Sequence, residues 1–334
     1  MNVAFDLAEK ILAGQRRALA KAITLIESTK HADRLIAEEI LTRIIPHTGN
    51  SIRLGISGVP GVGKSTLIEA LGKYLLQYNK RLAVLTIDPS SPVTGGSILG
   101  DKTRMESLAR EENAFIRPSP TNGNLGGVGR RTRETMLACE AAGFDFIIVE
   151  TVGVGQSEVA AASMVDVFMM LQLPNAGDEL QGIKKGILEL ADILVITKAD
   201  GQQKQMAEHA RLEQQRALHL TRHENNWKPP VLTASALEDK GIAQIFESVD
   251  ECHRIKQSSG QLQLKRQAQA RAWFEQELVE GAKDWLVHHL GSSHQLADAE
   301  SDVIGGRIPA SAAVRHIFDQ LLSGAESTTK KIRR

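Results

Sequence analysis

One string limits what this chain can fold into more than any other: Gly58-Val-Pro-Gly-Val-Gly-Lys-Ser65 fits the pattern GxxxxGK[ST]. It follows a β-rich run, Arg53–Ser57, and precedes a helical stretch that begins near Lys64. A strand that passes through a glycine turn into a helix is half of a βα unit, and the turn wraps an anion held at the helix N-terminus. Gly58, Gly61 and Gly63 permit the tight curl, and the backbone of Val59, Pro60 and Val62 completes a cradle of amide groups. Lys64 is expected to reach the β- and γ-phosphates of a nucleotide. Ser65 offers its hydroxyl to Mg²⁺, and Thr66 adds a phosphate contact. The competing reading is a glycine-rich turn ahead of an ordinary helix.

The remaining chain has the organisation that this unit needs. Further β-rich runs at Leu82–Ile87, Phe144–Val149, Val165–Leu171, Ile193–Thr197 and Val231–Thr233 alternate with amphipathic stretches. This alternation predicts an α/β fold, a mainly parallel sheet in a P-loop NTPase core. Residues 1–50 read as a helical N-terminal extension, because Leu7, Ile11, Leu19, Ile23, Ile40 and Ile44 recur at helical spacing. Residues 51–250 form the nucleotide domain. Residues 251–334 read as a helical C-terminal segment with a last helix from Ala310 to Leu322, packing on the core or on a second subunit.

Composition narrows the function. Forty basic and forty acidic residues balance to zero, which excludes a general nucleic-acid binder or a membrane-surface binder. Cys139 and Cys252 are the two cysteines, too few and too far apart for a disulfide framework or a paired CxxC site. The first residues lack the pattern of a signal peptide, and no run approaches the roughly eighteen apolar residues of a spanning helix. A cytoplasmic protein is expected.

A hard cation needs carboxylate oxygens beside the Ser65 hydroxyl. Asp88 and Glu150 each stand where a β-rich run ends, the edge at which a parallel sheet gathers its ligands. Each is a candidate metal ligand or a turn residue. Asp101, after a loop rich in Gly and Ser, is either a ligand or a helix cap.

Downstream, Thr197-Lys198-Ala199-Asp200 occupies the place of the guanine-reading NKxD sequence. A carboxylate at Asp200 accepts from the N1–H and amine of guanine, whereas adenine would leave a buried acceptor unpaired at about 1–3 kcal/mol. The stem of Lys198 can lie along the base. Ser235-Ala236-Leu237 matches the short loop that closes over the base, and Thr197 stands where Asn is usual.

Taken together, these strings resemble the P-loop GTPase family named for a Glu in its third nucleotide motif, and within it the MeaB/ArgK subfamily. The resemblance rests on Gly58–Thr66, Asp88-Pro-Ser-Ser91, Glu150-Thr-Val-Gly-Val-Gly-Gln-Ser-Glu158, Gly177-Asp-Glu-Leu-Gln-Gly-Ile-Lys184 and Thr197–Asp200. It implies a homodimeric GTPase that uses GTP/GDP and Mg²⁺ and binds an adenosylcobalamin-dependent methylmalonyl-CoA mutase. Such a protein gates cofactor delivery and protects the mutase. The resemblance also implies switch roles for Asp88, Asp101 and Glu150 near the metal. A third switch would cover about Gln172 to Lys185, with Lys184 contributing to activated hydrolysis.

Several points stay open. Val154 is apolar where many GTPases keep a water-orienting Gln, so slow intrinsic hydrolysis stimulated by a partner is expected. The glycine-rich stretch Ser119–Gly129, ahead of Arg130, Arg131 and Arg133, reads as a nucleotide-responsive lid or as a plain connection. Pro174–Gly182 reads as a switch or a surface loop. A metal-delivery GTPase is a second function class, although His219 and His223 lack a neighbouring cysteine or the Glu of a zinc motif. An ATP-dependent kinase on the same scaffold is a third.

Overall fold

The computed structural model describes residues 2–88, 105–120, 125–151, 156–175, 186, 189–220, 227–290, 294–319 and 321. The chain opens with three helices, α1 (Val3–Leu12), α2 (Arg16–Glu27) and α3 (His31–Ile44). The Asn2 side chain caps α1 by accepting from the Ala4 amide at 3.0 Å, which satisfies one of the donors a helix start leaves over. Ala4, Leu7, Ala8 and Ile11 of α1 and Leu19, Ile23 and Ile26 of α2 fall at three- and four-residue spacing and are buried.

A parallel sheet follows. Its strands are β1 (Ile52–Gly58), β2 (Leu82–Asp88), β3 (Ala114–Pro120), β4 (Phe146–Thr151), β5 (Val167–Gln172), β6 (Ile193–Ile196) and β7 (Val231–Thr233). Among the described residues the seven strands pair in the order β3-β2-β4-β1-β5-β6-β7, each pair parallel. Between them run α4 (Lys64–Gln77), α5 (Glu106–Ala109), α6 (Leu125–Ala141), α7 (Gln156–Ala162) and α8 (Lys204–Leu220), and after β7 come α9 (Ile242–Ser258), α10 (Gln261–Leu290) and α11 (His294–Ile304). Central strands are buried on both faces and read as continuous apolar runs. One face packs Ala83, Leu85, Ile147 and Phe168 against α1–α3, α6 and α7. The other packs Leu54, Ile56, Ile148 and Leu171 against α4 and α9. The N-terminal helices therefore share a core with the sheet.

Three local features differ from the sequence reading. β3 carries Pro118 and Pro120, which mask it as a strand, but among the described residues it pairs only with β2, and the missing amide of Pro118 falls on the side away from that partner. β4 extends to Thr151, which puts Glu150 inside the strand opposite Ile56 and Thr86 rather than after its end. Gly126, Gly127 and Gly129 lie in α6, so the connection from β3 is confined to residues 121–124 and is no long glycine loop.

The N-terminal edge of the sheet is braced by charge. The Asp166 carboxylate is fully buried; it accepts from the Arg53 amide at 2.9 Å and from Arg266 Nε and Nη2 at 2.9 and 2.7 Å. Lys256 and Lys265 both donate to the Asp166 carbonyl at 2.9 Å. Lys256 also bonds Asp192 at 2.5 Å, and Arg53 forms two 2.8 Å bonds with Glu140. Burial, with Lys256 beside it, lowers the pKa of Lys265.

Residues 1–269 form one compact unit and 270–334 a second. The second holds the rest of α10, α11 and a helical turn sequence at 310–319. Its α10 segment exposes Phe274, Leu278, Val279 and Trp285.

Candidate functional site

β1 is the switch point of the sheet, with β4 on one side and β5 on the other, and ligands of such sheets gather beyond the strand C-termini at that place. Gly58 ends β1 against the Leu171 carbonyl, where an added Cβ would sit 2.7 Å from that oxygen. Gly61 and Gly63 have φ of 80° and 98° with open space where a Cβ would project, so backbone conformation rather than room selects glycine there. Gly63 in turn is the N-cap of α4, so the loop delivers its amides and the helix start to one concave surface. The backbone of Val59, Pro60 and Val62 lines this turn.

Lys64 is buried and donates to the carbonyls of Gly58 at 2.7 Å and Val59 at 3.2 Å, so its ammonium is folded over the loop that it would serve. Ser65 donates to Glu150 Oε1 at 3.1 Å. Two oxygen donors of α4 and β4 thus meet beside the loop, and this pair fits a hard cation such as Mg²⁺. A second hydroxyl contact, Thr151 to Ser57 at 2.8 Å, ties the ends of β4 and β1. Thr66 follows on the exposed side of α4.

On the other side of β1 stand the residues expected to read a base. Asp200 Oδ2 accepts from the Ser235 hydroxyl at 2.6 Å, and Ser235 Oγ accepts from the Glu238 amide at 3.2 Å. Ser235 and Lys240 exchange two backbone bonds of 3.0 Å, closing a turn that carries Ala236 and an 80% exposed Leu237. Gly241 at φ 80° leaves the turn, where a Cβ would meet the Thr233 carbonyl at 2.3 Å. Lys198 is exposed and left-handed at φ 55°, an uncommon conformation for a residue with a side chain. The 3.0 Å bond from the Ala199 amide to the Ala234 carbonyl holds the two loops together.

The structure therefore brings together Gly58–Thr66 with Glu150, and Lys198 and Asp200 with Ser235, Ala236 and Leu237. Asp88 closes β2 as its last residue. Asp101, Lys184 and Val154 lie outside the described residues. Arg133, which follows the glycine-rich stretch, donates to Ser163 Oγ at 3.1 Å just after α7. His219 falls in α8, and His223 lies outside the described residues. Thr197 has a role that the motif did not reveal: its hydroxyl donates to the Val62 carbonyl of the phosphate loop at 2.7 Å. The one available signal was its place at the first position of the base-reading string.

Comparison with known proteins agrees with this geometry. A family model described as methylmalonyl Co-A mutase-associated GTPase MeaB matches residues 19–289. A probable GTPase of Mycobacterium tuberculosis is 48% identical over 94% of this chain and 94% of its own length. GTPase ArgK of Escherichia coli is 50% identical over 84% of each chain. The mitochondrial methylmalonic aciduria type A homolog of Mus musculus is 44% identical over 91% of this chain and 76% of its own. A crystal structure titled LAO/AO transport system kinase superposes with a TM-score of 0.73 at 36% identity, covering 96% of this chain and 97% of that one. Among the described residues no helix is long and apolar enough to cross a membrane. The chain belongs to the MeaB family of P-loop GTPases.

Proposed function

We propose that this chain binds GTP with Mg²⁺, hydrolyses it slowly alone and faster with a partner, and serves an adenosylcobalamin-dependent methylmalonyl-CoA mutase by gating cofactor loading and protecting the enzyme. The observation that carries the nucleotide reading is the Asp200–Ser235 bond of 2.6 Å, which presents a carboxylate on a fixed loop beside the glycine turn. A carboxylate oriented in this way suits the paired N–H donors of guanine. The family description, which names the mutase, supports the choice of partner.

At the phosphate end, Lys64 exchanges carbonyl acceptors for phosphate oxygens, a charge-assisted and stronger bond. Ser65 and Glu150 would hold the metal, with Asp88 and Asp101 as further candidate oxygen donors. Bound there, Mg²⁺ supplies charge neutralisation on the β- and γ-phosphate oxygens. Glu150 orients a water for in-line attack, and Lys184 adds to stabilisation when the partner docks. The backbone amides of Gly61–Lys64 meet the charge that develops as the γ-phosphoryl leaves.

A homodimer in the cytoplasm completes the reading. Phe274 and Leu278, one helical turn apart on α10 and more than 60% exposed, support self-association through the C-terminal segment. The test is GTP turnover by the purified protein with and without purified methylmalonyl-CoA mutase. A several-fold stimulation is expected, and equal rates at saturating mutase overturn the partner.

A further inference from the structure

We propose that the buried hydroxyls of Thr151 and Ser57 form a positioning pair that holds the end of β4 against the strand entering the phosphate loop, and so fixes where the Glu150 carboxylate stands beside Ser65. The proposal rests on the reading above that Ser65 and Glu150 hold the cation. It adds two residues that lie on the opposite face of the sheet from that pair.

The register shows where a side-chain bond is needed. β1 and β4 pair from Ile52 and Phe146 to Ile56 and Glu150, and their backbone ladder stops there. The next residues in register are Ser57 and Thr151. β1 stays paired with β5 as far as Gly58, and β4 with β2 as far as Ile87 and Thr151, so each strand remains held on its outer side while the seam between them opens. At that point Thr151 Oγ1 donates to Ser57 Oγ at 2.8 Å, and both residues are fully buried. The hydroxyls carry the ladder one pair further than the amides do.

Successive side chains of a strand point to opposite faces. Glu150 shares a face with Ile56 and Ile148 and meets Ser65 of α4 there, whereas Thr151 and Ser57 share the other face with Val149 and Met170. The seam is therefore gripped from both faces at adjacent residues. The Ser65–Glu150 bond is 3.1 Å, long for a hydroxyl on a carboxylate, so the backbone behind Glu150 does most to place it. Thr151 anchors that backbone one residue away.

Packing alone does not call for hydroxyls here. Alanine at 57 and valine at 151 would fill nearly the same space. Replacing both partners of a buried hydrogen bond by apolar groups of the same shape is close to neutral for stability, whereas removing one leaves the other unpaired. This asymmetry separates positioning from support.

The test compares Thr151→Val, Ser57→Ala and the double variant with wild type in thermal unfolding of the ligand-free protein, in affinity for a non-hydrolysable GTP analogue with and without Mg²⁺, and in GTP turnover. Each single variant is expected to unfold at a lower temperature, and the double variant to return most of the way to wild type. The gain in analogue affinity on adding Mg²⁺ is nevertheless expected to fall about fivefold to tenfold in the double variant, with affinity in the absence of Mg²⁺ unchanged within about twofold. Turnover is expected to drop about tenfold, and Thr151→Ser, which keeps the hydroxyl, to stay within about twofold of wild type. A double variant with wild-type Mg²⁺ gain and turnover overturns the proposal, because the pair then only supports the fold. So does an equal loss of affinity with and without Mg²⁺, which would place the effect in the cradle rather than at Glu150. If Thr151→Val does not fold, Ser57→Ala is judged by the same Mg²⁺ ratio. Wild-type protein whose analogue affinity is indifferent to Mg²⁺ would instead remove the cation reading, and the proposal with it.

Discussion

The two ends of β1 and β5 meet opposite chemistry. At their N-terminal ends Arg266, Arg53 and Lys256 pair with Asp166, Glu140 and Asp192 in buried or mostly buried ion pairs. At their C-terminal ends the contacts are lighter. Lys64 rests on carbonyls and Ser65 on Glu150. A charge already neutralised by protein has nothing to gain from a ligand. A charge resting on a carbonyl or a hydroxyl gains when phosphate, cation or base takes that place. One end of the sheet is therefore built to hold its shape, and the other is built to exchange partners.

The largest effect separating the two ends is expected from Asp166→Asn. It leaves the cations around Arg266 without their carboxylate and should cost about 3–5 kcal/mol of unfolding free energy in urea titration, while nucleotide affinity shifts by less than about twofold. Burial pushes the Asp166 carboxyl up, but hydrogen bonds and charge from Arg266, with Arg53, outweigh it and hold its pKa below the ordinary value. A depressed pKa contributes stability above the unfolded value of about 4, and that contribution is lost as pH falls through the folded value. The gap between wild type and Asp166→Asn should therefore be flat from neutral pH down to about pH 5 and close in stronger acid. A gap that widens on acidification contradicts the sign.

Lys64→Ala attacks the exchanging end. GTP turnover is expected to fall about 100- to 1000-fold, with unfolding free energy changed by less than about 1 kcal/mol. A large stability loss would place Lys64 with the bracing residues. Ser65→Ala should be milder, raising the Mg²⁺ concentration for half-maximal turnover about tenfold, and unaltered Mg²⁺ dependence would remove Ser65 from the metal. The smallest change concerns the thiols. Burial, with Asp192 nearby, pushes the Cys252 thiol up to about 12, and burial raises Cys139 as well. Neither should react with a disulfide reagent at pH 8 until urea is added.

The two ends also differ in how far sequence reveals them. The glycine turn, Glu150, Asp200 and Ser235 sit in short strings whose spacing is dictated by a ligand of fixed size, so their neighbours in sequence disclose them. The bracing network joins Arg53, Glu140, Asp166, Asp192, Lys256 and Arg266 from β1 to α10, and each looks like an ordinary surface charge in its own segment. Strands with central positions were legible from continuous apolar runs. Edge strand β3 was not, because its prolines are tolerated only where no neighbour needs their amide. The start of α6 was hidden by three glycines whose low helix propensity is overridden in the fold. Thr197 was visible only as a departure from Asn, since the acceptor of its hydroxyl lies 135 residues away in the chain.

The most direct measurement is a side-by-side titration of the wild type and Asp200→Asn with GTP, xanthosine triphosphate and ATP. Wild type should prefer GTP over ATP by about two orders of magnitude or more, and Asp200→Asn should prefer xanthosine triphosphate, whose 2-carbonyl accepts from the new amide. Equal affinity of the wild type for GTP and ATP, or a base preference that Asp200→Asn leaves untouched, would contradict a guanine-reading site at this edge of the sheet.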